Sequence, residues 1–233
     1  MLGLVPYMQA WRLQEALAAD VADGRRPPTL LLLQHPHTYT FGRRGHEENL
    51  LWQAAELSRR EVAVHWVDRG GDVTYHGPGQ LVGYPLLPLG KLEASGRLPQ
   101  ADYVGFIRRL EATVILALAE FGLVSGQIRG MTGVWLQPDV ASRCPRCPPA
   151  ARQAPSKIAS IGIKVDAQGV SRHGFALNVD PDMTYWEGIV ACGLAGYPAV
   201  SLAELLDPPP SMEAVEDAIQ AAFGQVFAMR MES

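Results

Sequence analysis

The sequence has few cysteines, no long apolar run and no cluster of lysine or arginine. Three cysteines among 233 residues are too few for a disulfide framework, and an odd number leaves at least one thiol free. No segment stays apolar for the roughly 18 residues that a membrane helix needs, and the first residues lack the features of a signal peptide. The net charge of −4 gives no general attraction for nucleic acid. We therefore expect a protein of the reducing cytoplasm that binds neither membranes nor nucleic acid.

The overall composition is that of a globular protein. Apolar residues make up 48% and charged residues 19% of the chain, which supplies a sizeable core and gives no sign of global disorder. A chain of 233 residues can form one α/β or α+β domain, so residues 1–233 are expected to fold as a single domain. The sequence does not indicate the oligomeric state, and a monomer is the default expectation.

Apolar periodicity predicts four helices and seven strands. The helices are expected at residues 7–21, 53–59, 101–121 and 211–227, the last with Ser211 as its N-cap. The strands are expected at residues 29–34, 62–67, 72–75, 81–86, 134–136, 158–165 and 172–179. Turn residues predict two β-hairpins, one joining 72–75 to 81–86 and the other joining 158–165 to 172–179.

Residues 137–156 differ from the rest because prolines and arginines interrupt any periodicity there. They predict a loop, which carries Cys144 and Cys147 in a C-P-R-C motif. The pair is compatible with half of a zinc site or with a solvent-exposed pair that oxidises reversibly. A four-ligand zinc site would need a second pair, and Cys192 is the only other cysteine.

The densest glycine signal is RGGDVTYHGPGQ at residues 69–80, with four glycines in twelve residues. Glycine lets the backbone approach a ligand closely, so the segment is a candidate substrate cradle. The alternative is an ordinary glycine-rich hairpin with a salt-bridged arginine. Neither a Rossmann nor a Walker spacing is present, so the motif does not indicate nucleotide binding.

Lys157 and Cys192 are ambiguous when each is considered alone. Lys157 begins an apolar strand in SKIASIG, where a lysine is usually solvated but can also be tuned for catalysis. Cys192 follows apolar residues and precedes Gly193, a context in which cysteine is most often a small buried hydrophobe.

The order of four segments resolves this ambiguity. The sequence contains, in this order, RGGxxTYHGPGQLVGYPLL, KIASIGIKV, HGFALNV and a following Cys-Gly pair. Over about residues 30–206 this order resembles the octanoyltransferases of lipoate biosynthesis, also called lipoyl(octanoyl) transferases or lipoate-protein ligase B. The resemblance implies the fold of biotin and lipoate protein ligases, which is a mixed α/β domain with one larger sheet, one smaller sheet and outer helices.

The resemblance also implies roles for individual residues. Cys192 corresponds to the nucleophile that carries the acyl group, and Lys157 to the lysine that lowers the pKa of that cysteine and moves a proton. The corresponding walls of the acyl pocket are Arg69, Gly70, Gly71, Asp72, Val73, Thr74, Tyr75, His76, Ser160, Ile161, Gly162, Gly174, Phe175 and Ala176. A neighbouring ammonium matters because a free thiol has a pKa of about 8.5 and is mostly protonated at neutral pH.

The implied reaction moves an octanoyl group from octanoyl-acyl carrier protein to a lysine of a lipoyl domain, in a 2-oxoacid dehydrogenase or the glycine cleavage H protein. The thioester donor is already activated, so no cofactor is expected. Two alternatives remain: an ATP-dependent lipoate or biotin ligase, and a non-catalytic protein that binds an acyl carrier or a lipoyl domain. Arg43 and Arg44 are candidates for contacting the acyl carrier.

The histidines are expected to have structural roles. His76 and His173 lie in the motif segments, where they could orient a reacting group or satisfy buried backbone carbonyls. His35 and His37 flank Pro36 on a segment without regular structure, which is poor evidence for a metal site. No metal is expected.

Overall fold

The computed structural model describes residues 2–90, 102–142, 144, 146–193 and 196–232, with Cys192 described only through its backbone. The strands are β1 (Thr29–Leu33), β2 (Thr38–Phe41), β3 (Ala63–Trp66), β4 (Val73–His76), β5 (Gln80–Leu86), β6 (Gly126–Ile128), β7 (Met131–Leu136), β8 (Ser156–Val165) and β9 (Ser171–Asn178). The helices are α1 (Tyr7–Ala22), α2 (Ala54–Arg59), α3 (Tyr103–Ala119), α4 (Pro138–Ala141), α5 (Leu202–Leu205) and α6 (Met212–Phe227). Short 3-10 helices lie at Glu47–Asn49, Pro149–Arg152, Met183–Gly188 and Ala191–Gly193.

The strands form one larger and one smaller sheet. The larger sheet has six strands in the order β1-β5-β9-β8-β7-β6, and every neighbouring pair is antiparallel. The smaller sheet has the order β3-β2-β4, with β2 parallel to β3 and antiparallel to β4. The predicted mixed α/β class, with a larger and a smaller sheet, is confirmed.

Helices cover both faces of the larger sheet because its strands are apolar on both sides. Leu32 packs in the cluster that contains Val114 of α3 and Ile219 of α6. Its neighbours Leu31 and Leu33 point the other way, into the cluster that α1 completes, as the alternation of side chains along a strand requires. The smaller sheet has a separate aromatic cluster, built around Tyr39, Phe41, Val73 and Tyr75.

The prediction of a β4–β5 hairpin is wrong, since these strands lie in different sheets. β4 pairs with β2, whereas β5 pairs with β1 and β9. The turn between them is bound to the larger sheet: Gly79 N donates to Gln34 Oε1 at 2.8 Å, and Gly79 O accepts from Asp180 N at 2.9 Å. Gly79 has φ 85°. Because these two bonds hold the turn against the larger sheet, the chain passes from one sheet to the other instead of folding back.

The other predicted elements are confirmed with small shifts at their ends. β8 and β9 form the second hairpin, with Ala159 opposite Leu177. Ser211 caps α6 by accepting from Ala214 N at 3.2 Å. α3 occupies most of the predicted 101–121 helix, and Ala101 lies outside the described residues. The sequence did not predict β2 and β6.

The 137–156 segment is more ordered and more buried than predicted. It contains α4 and the 3-10 helix at Pro149–Arg152, and Arg143 and Pro145 lie outside the described residues. Cys144 and Cys147 form a disulfide bond and are only 3% and 4% exposed. The expectation of a solvent-exposed pair is therefore wrong, because both sulfurs pack into the main core beside Ala141 and Ala151.

Within the described part of the chain, no helix is both long enough and apolar enough to cross a membrane.

Reduction of the Cys144–Cys147 bond should lower the free energy of unfolding. The bond closes a ring of only four residues, and the loop-entropy relation then gives a stabilisation of about 2 kcal/mol. Urea unfolding with and without a thiol reductant measures this difference. The Cys144→Ser/Cys147→Ser double variant is the control, since its stability should not respond to reductant. Equal stability of the unmodified protein under both conditions would contradict the prediction.

Candidate active site

The two sheets meet through backbone at the glycine-rich segment. Gly70 N donates to Ile163 O of β8 at 2.9 Å. A Cβ on Gly162 would lie only 2.8 Å from Gly70 O, closer than real side chains allow. Glycine at position 162 therefore permits a direct contact between the smaller and larger sheets.

Two adjacent cavities lie at this junction. The outer cavity has a volume of about 620 Å³ and is lined by Lys157, Arg44 and Gly193, among others. The inner cavity is narrow, at about 40 Å³, and is enclosed in part by Tyr7, Tyr84 and His173. Because Gly71, Ile161 and Gly162 line both cavities, the two cavities adjoin at these residues.

Most of the predicted site residues line these cavities. The inner cavity is lined by Arg69, Gly71, Thr74, His76, Ser160, Ile161, Gly162, Gly174, Phe175 and Ala176. The outer cavity is lined by Gly70, Gly71, Asp72, Lys157, Ile161 and Gly162. Val73 and Tyr75 instead belong to the aromatic cluster of the smaller sheet, because alternate residues of β4 face opposite sides.

Lys157 is held in a fixed position at the start of β8. It is only 6% exposed, and its Nζ lies 4.7 Å from the centre of the Trp135 ring, in a cation–π contact. Its Cε would lie 3.2 Å from a Cβ at Gly133. Gly133 is itself fixed, since its N donates to the buried Glu111 carboxylate at 2.9 Å. The ammonium group therefore sits on an aromatic face beside a position that has room only for glycine.

Cys192 is the middle residue of the 3-10 helix at Ala191–Gly193, and its side chain lies outside the described part of the structure. The segment that leads into this turn is bound to the smaller-sheet side by Val190 N, which donates to Asn49 O at 2.8 Å. Gly193 lines the outer cavity, as Lys157 does. The turn that carries Cys192 and the lysine therefore border the same cavity.

Asp72 supports this turn as well as lining the outer cavity. Its Oδ1 accepts from Val73 N at 2.7 Å and His46 N at 3.0 Å, and its Oδ2 accepts from Asn49 Nδ2. A Cβ at Gly193 would lie 3.2 Å from the same Oδ2. The carboxylate thus holds the loop of His46 and Asn49, and Asn49 O in turn accepts from Val190 N ahead of the turn. Asn49 is a contributor that the sequence did not reveal.

Arg69 braces the glycine-rich segment from inside. Its Nε and Nη2 donate to Thr40 Oγ1 at 3.2 and 2.9 Å, and its Nη1 donates to Gly70 O at 2.9 Å. The acceptors of these three bonds are neutral oxygens. The guanidinium joins β2 to the segment that lines both cavities.

His76 and His173 line the inner cavity and bond to side chains. His76 Nδ1 lies 2.9 Å from Gln80 Oε1, and His173 Nε2 lies 2.7 Å from Asp68 Oδ1. Burial lowers the pKa of both imidazoles, and it lowers the pKa of the nearby His35 to about 4. The bond from His173 lowers the pKa of Asp68 to about 2. Neutral imidazoles therefore surround the inner end of the site near pH 7.

His37 stacks on Tyr185 with the ring centres 3.9 Å apart.

In the described residues, no three His, Cys, Asp or Glu side chains are grouped so that they could hold a metal ion.

The sequence did not single out several site residues, namely Tyr7, Thr40, Tyr84, Gly133 and Trp135. Gly133 directly precedes the predicted 134–136 strand, so the rule that a glycine inside a strand often marks a close approach did not apply to it. The others reach the site through tertiary packing.

Solved structures with the same fold define the class of protein. A bipartite lipoate protein ligase from Thermoplasma acidophilum, studied with its E2 lipoyl domain, is similar with a TM-score of 0.68 over 100% of this chain and 85% of its own, at 15% identity. Lipoate-protein ligase A bound with ATP gives a TM-score of 0.66, with 100% of this chain and 86% of its own covered, at 15% identity. The fold is that of the lipoate protein ligases.

Sequence relatives define the family more closely. Residues 6–224 match the lipoyl protein ligase A/B catalytic domain. An octanoyltransferase of Chloroflexus aurantiacus is 42% identical over 98% of this chain and 92% of its own length. One from Cytophaga hutchinsonii is 37% identical over 100% of this chain and 93% of its own. The chain belongs to the octanoyltransferases of this ligase family, which are acyltransferases.

Substitution of Gly133 by alanine should slow acyl transfer. The new Cβ would meet Ala159 O at 2.7 Å and Lys157 Cε at 3.2 Å, at a φ of 128°, so the lysine should be displaced. A misplaced reacting group can cost about 10- to 100-fold in rate. Gly126→Ala on the neighbouring β6 is the matched control, because its Cβ would meet nothing within 4 Å. The prediction fails if both variants transfer acyl groups at the same rate.

Stability should fall as the pH is lowered from about 6.5 to 4. In this window His35 binds a proton in the unfolded chain, whose imidazole pKa is about 6.5, but remains neutral in the folded protein, where its pKa is about 4. Linkage then removes up to about 3 kcal/mol of stability for this residue alone. Urea unfolding at several pH values measures the slope.

His35→Gln should flatten that slope, because glutamine does not titrate. His46→Gln should leave it unchanged, since the His46 side chain is 63% exposed. Parallel pH curves for the unmodified protein and His35→Gln would contradict the assignment.

Proposed function

We propose that this chain transfers an octanoyl group from octanoyl-acyl carrier protein to a specific lysine of a lipoyl domain, through a thioester on Cys192. One observation carries the proposal: Lys157 and the turn that contains Cys192 border a single outer cavity, which adjoins a narrower inner one. A nucleophile, a proton carrier and a pocket for an acyl tail are the parts that such a transfer needs.

In the first half-reaction, the Cys192 thiolate attacks the carbonyl carbon of the donor thioester. The carbon–sulfur bond to the carrier breaks, and the carrier thiolate takes up a proton as it leaves. The Lys157 ammonium is the group that favours the attacking thiolate and can supply this proton. The octanoyl tail would extend into the inner cavity and widen it.

In the second half-reaction, the amine of the acceptor lysine attacks the acyl-cysteine. An amide bond forms, the thioester to Cys192 breaks, and the amine loses a proton to the neutral Lys157 amine. Each half-reaction therefore restores the protonation state that the other half-reaction requires, and the cycle needs no nucleotide.

Support for the substrates comes from the relatives. Relatives at 37–42% identity are named octanoyltransferases, and the Thermoplasma acidophilum ligase was studied with an E2 lipoyl domain. The acceptors that fit are therefore lipoyl domains of 2-oxoacid dehydrogenases and the glycine cleavage H protein. The cytoplasm, where acyl carrier proteins and these acceptors occur together in bacteria, is the compartment that fits the proposal.

Incubation of the protein with octanoyl-acyl carrier protein should add the mass of one octanoyl group, released by neutral hydroxylamine as a thioester is. Cys192→Ala should abolish the adduct, since no thiol remains to form it. Lys157→Ala should slow its formation by about 100-fold, the lower range for loss of a general acid or base. Intact-mass spectrometry at timed intervals measures both effects.

Lys164→Ala is the matched control for the lysine, because Lys164 lies on the same strand and lines neither cavity among the described residues. Octanoylation of a lipoyl domain only with free octanoate and ATP would identify a ligase instead. Binding of the carrier or lipoyl domain without any transfer would identify a non-catalytic binding protein.

A further inference from the structure

The inner cavity ends in a polar floor, formed by Tyr7, His76, Tyr84 and His173. None of these four residues lines the outer cavity, whereas Lys157 and Gly193 do. The floor therefore lies at the end of the inner cavity away from the proposed acyl-carrying turn. An acyl tail attached at Cys192 would point its terminal methyl group at this floor.

One side of the floor is anchored by a carboxylate. His173 Nε2 lies 2.7 Å from Asp68 Oδ1, and Arg172 Nη2 holds the other oxygen of Asp68 at 2.8 Å. Because His173 donates from Nε2 to the carboxylate, its neutral ring can accept at Nδ1. The Tyr7 hydroxyl lies 3.3 Å from that Nδ1 and donates to it.

The other side of the floor is anchored by backbone. His35 Nδ1 donates to Val5 O at 2.7 Å, which leaves Nε2 to accept from the Tyr84 hydroxyl at 2.7 Å. His76 donates from Nδ1 to Gln80 Oε1 at 2.9 Å. The hydroxyl protons of both tyrosines thus have buried imidazole acceptors.

His173 is also held in an unusual backbone conformation. Its φ is 56°, a left-handed value that a residue with a side chain rarely adopts, and such strain collects at functional sites. The buried Gln14 stabilises it by accepting from His173 N at 2.7 Å. α1, which supplies Tyr7 and Gln14, therefore holds two parts of the floor.

The walls and the floor should respond differently to an incoming tail. The side chains of Ile161 and Phe175 line the cavity and are apolar, so a shift of either one breaks no hydrogen bond. Displacing Tyr7 or Tyr84 would leave buried imidazole nitrogens without partners, which is unfavourable. The cavity can therefore widen more easily than it can lengthen.

We propose that this hydrogen-bonded floor sets the maximum length of the acyl chain, so that medium-chain acyl groups are accepted and longer ones are rejected. The inference rests on the proposed function and adds to it a specificity determinant, with Tyr7 and Tyr84 as the residues that stop the tail.

The test compares acyl-carrier thioesters of 8, 10, 12 and 14 carbons by the initial rate of acyl-enzyme formation, measured by intact mass. In Tyr7→Ala and in Tyr84→Leu, the ratio of the 12-carbon rate to the 8-carbon rate should rise about tenfold, equivalent to about 1.4 kcal/mol. Tyr7→Phe, which loses only the hydroxyl, should give a smaller rise. Tyr7→Phe also tests the inference if Tyr7→Ala and Tyr84→Leu fail to fold. Thermal melting shows whether each variant is folded.

Tyr39→Leu is the matched control. Tyr39 is a buried tyrosine that donates to Tyr185 O, but it belongs to the smaller-sheet cluster. Its substitution can lower all rates together, and the chain-length ratio should stay as in the unmodified protein. Unchanged ratios in every folded floor variant would overturn the inference.

A second readout separates this inference from the covalent mechanism. The thermal stabilisation of Cys192→Ser by free fatty acids of 8 to 14 carbons reports the length of the cavity without any transfer. A longer cutoff in the floor variants supports the inference even if no acyl-enzyme forms, in which case only the proposed function fails. Acyl-enzyme formation with an unchanged cutoff overturns the inference alone.

Discussion

The site depends on one backbone contact between the two sheets. Gly70 donates to Ile163 O, and Gly162 lies too close to Gly70 O for any side chain to fit between them. A side chain at position 162 would push the smaller sheet away from β8. The contact therefore fixes the distance between β4, which carries Thr74 and His76, and β8, which carries Ser160 and Lys157. Both cavities exist because these strands meet at this distance.

Charge is distributed unevenly along the path from solvent to the floor. The outer cavity carries Lys157, Arg44, Glu48 and Asp72, which suits a transfer in which charge develops at sulfur and nitrogen. The inner cavity holds imidazoles whose pKa values are lowered by burial, so they are neutral near pH 7. Its arginine, Arg69, is engaged with Thr40 and Gly70 O. An apolar tail can enter the inner cavity because the polar atoms that line this cavity bond to one another.

The sequence predicted what depends on local pattern. The 7–21 and 211–227 helices and the β8–β9 hairpin follow from periodicity and turn residues, and α1, α6 and the hairpin confirm them. The β4–β5 turn could not be predicted, because Gln34 and Asp180, which fix it, are distant in sequence. The motif also could not show that Thr74 and His76 line the inner cavity while Val73 and Tyr75 belong to the smaller-sheet cluster, since all of β4 is buried. Tyr7 and Tyr84 reach the site through tertiary packing alone.

The segment that carries Cys192 connects the same two sheets. On one side, Val190 N donates to Asn49 O, in a loop that Asp72 ties to the smaller sheet. On the other side, Lys157 N donates to Pro198 O at 2.8 Å, and Val200 N donates to Lys157 O at 3.0 Å. The chain just before Cys192 is thus held to the glycine-rich segment through Asn49 and Asp72. The chain after Cys192 is held to Lys157. The position of this turn relative to Lys157 therefore depends on the sheet junction at Gly70 and Gly162, which also shapes the cavity that would receive the acyl tail.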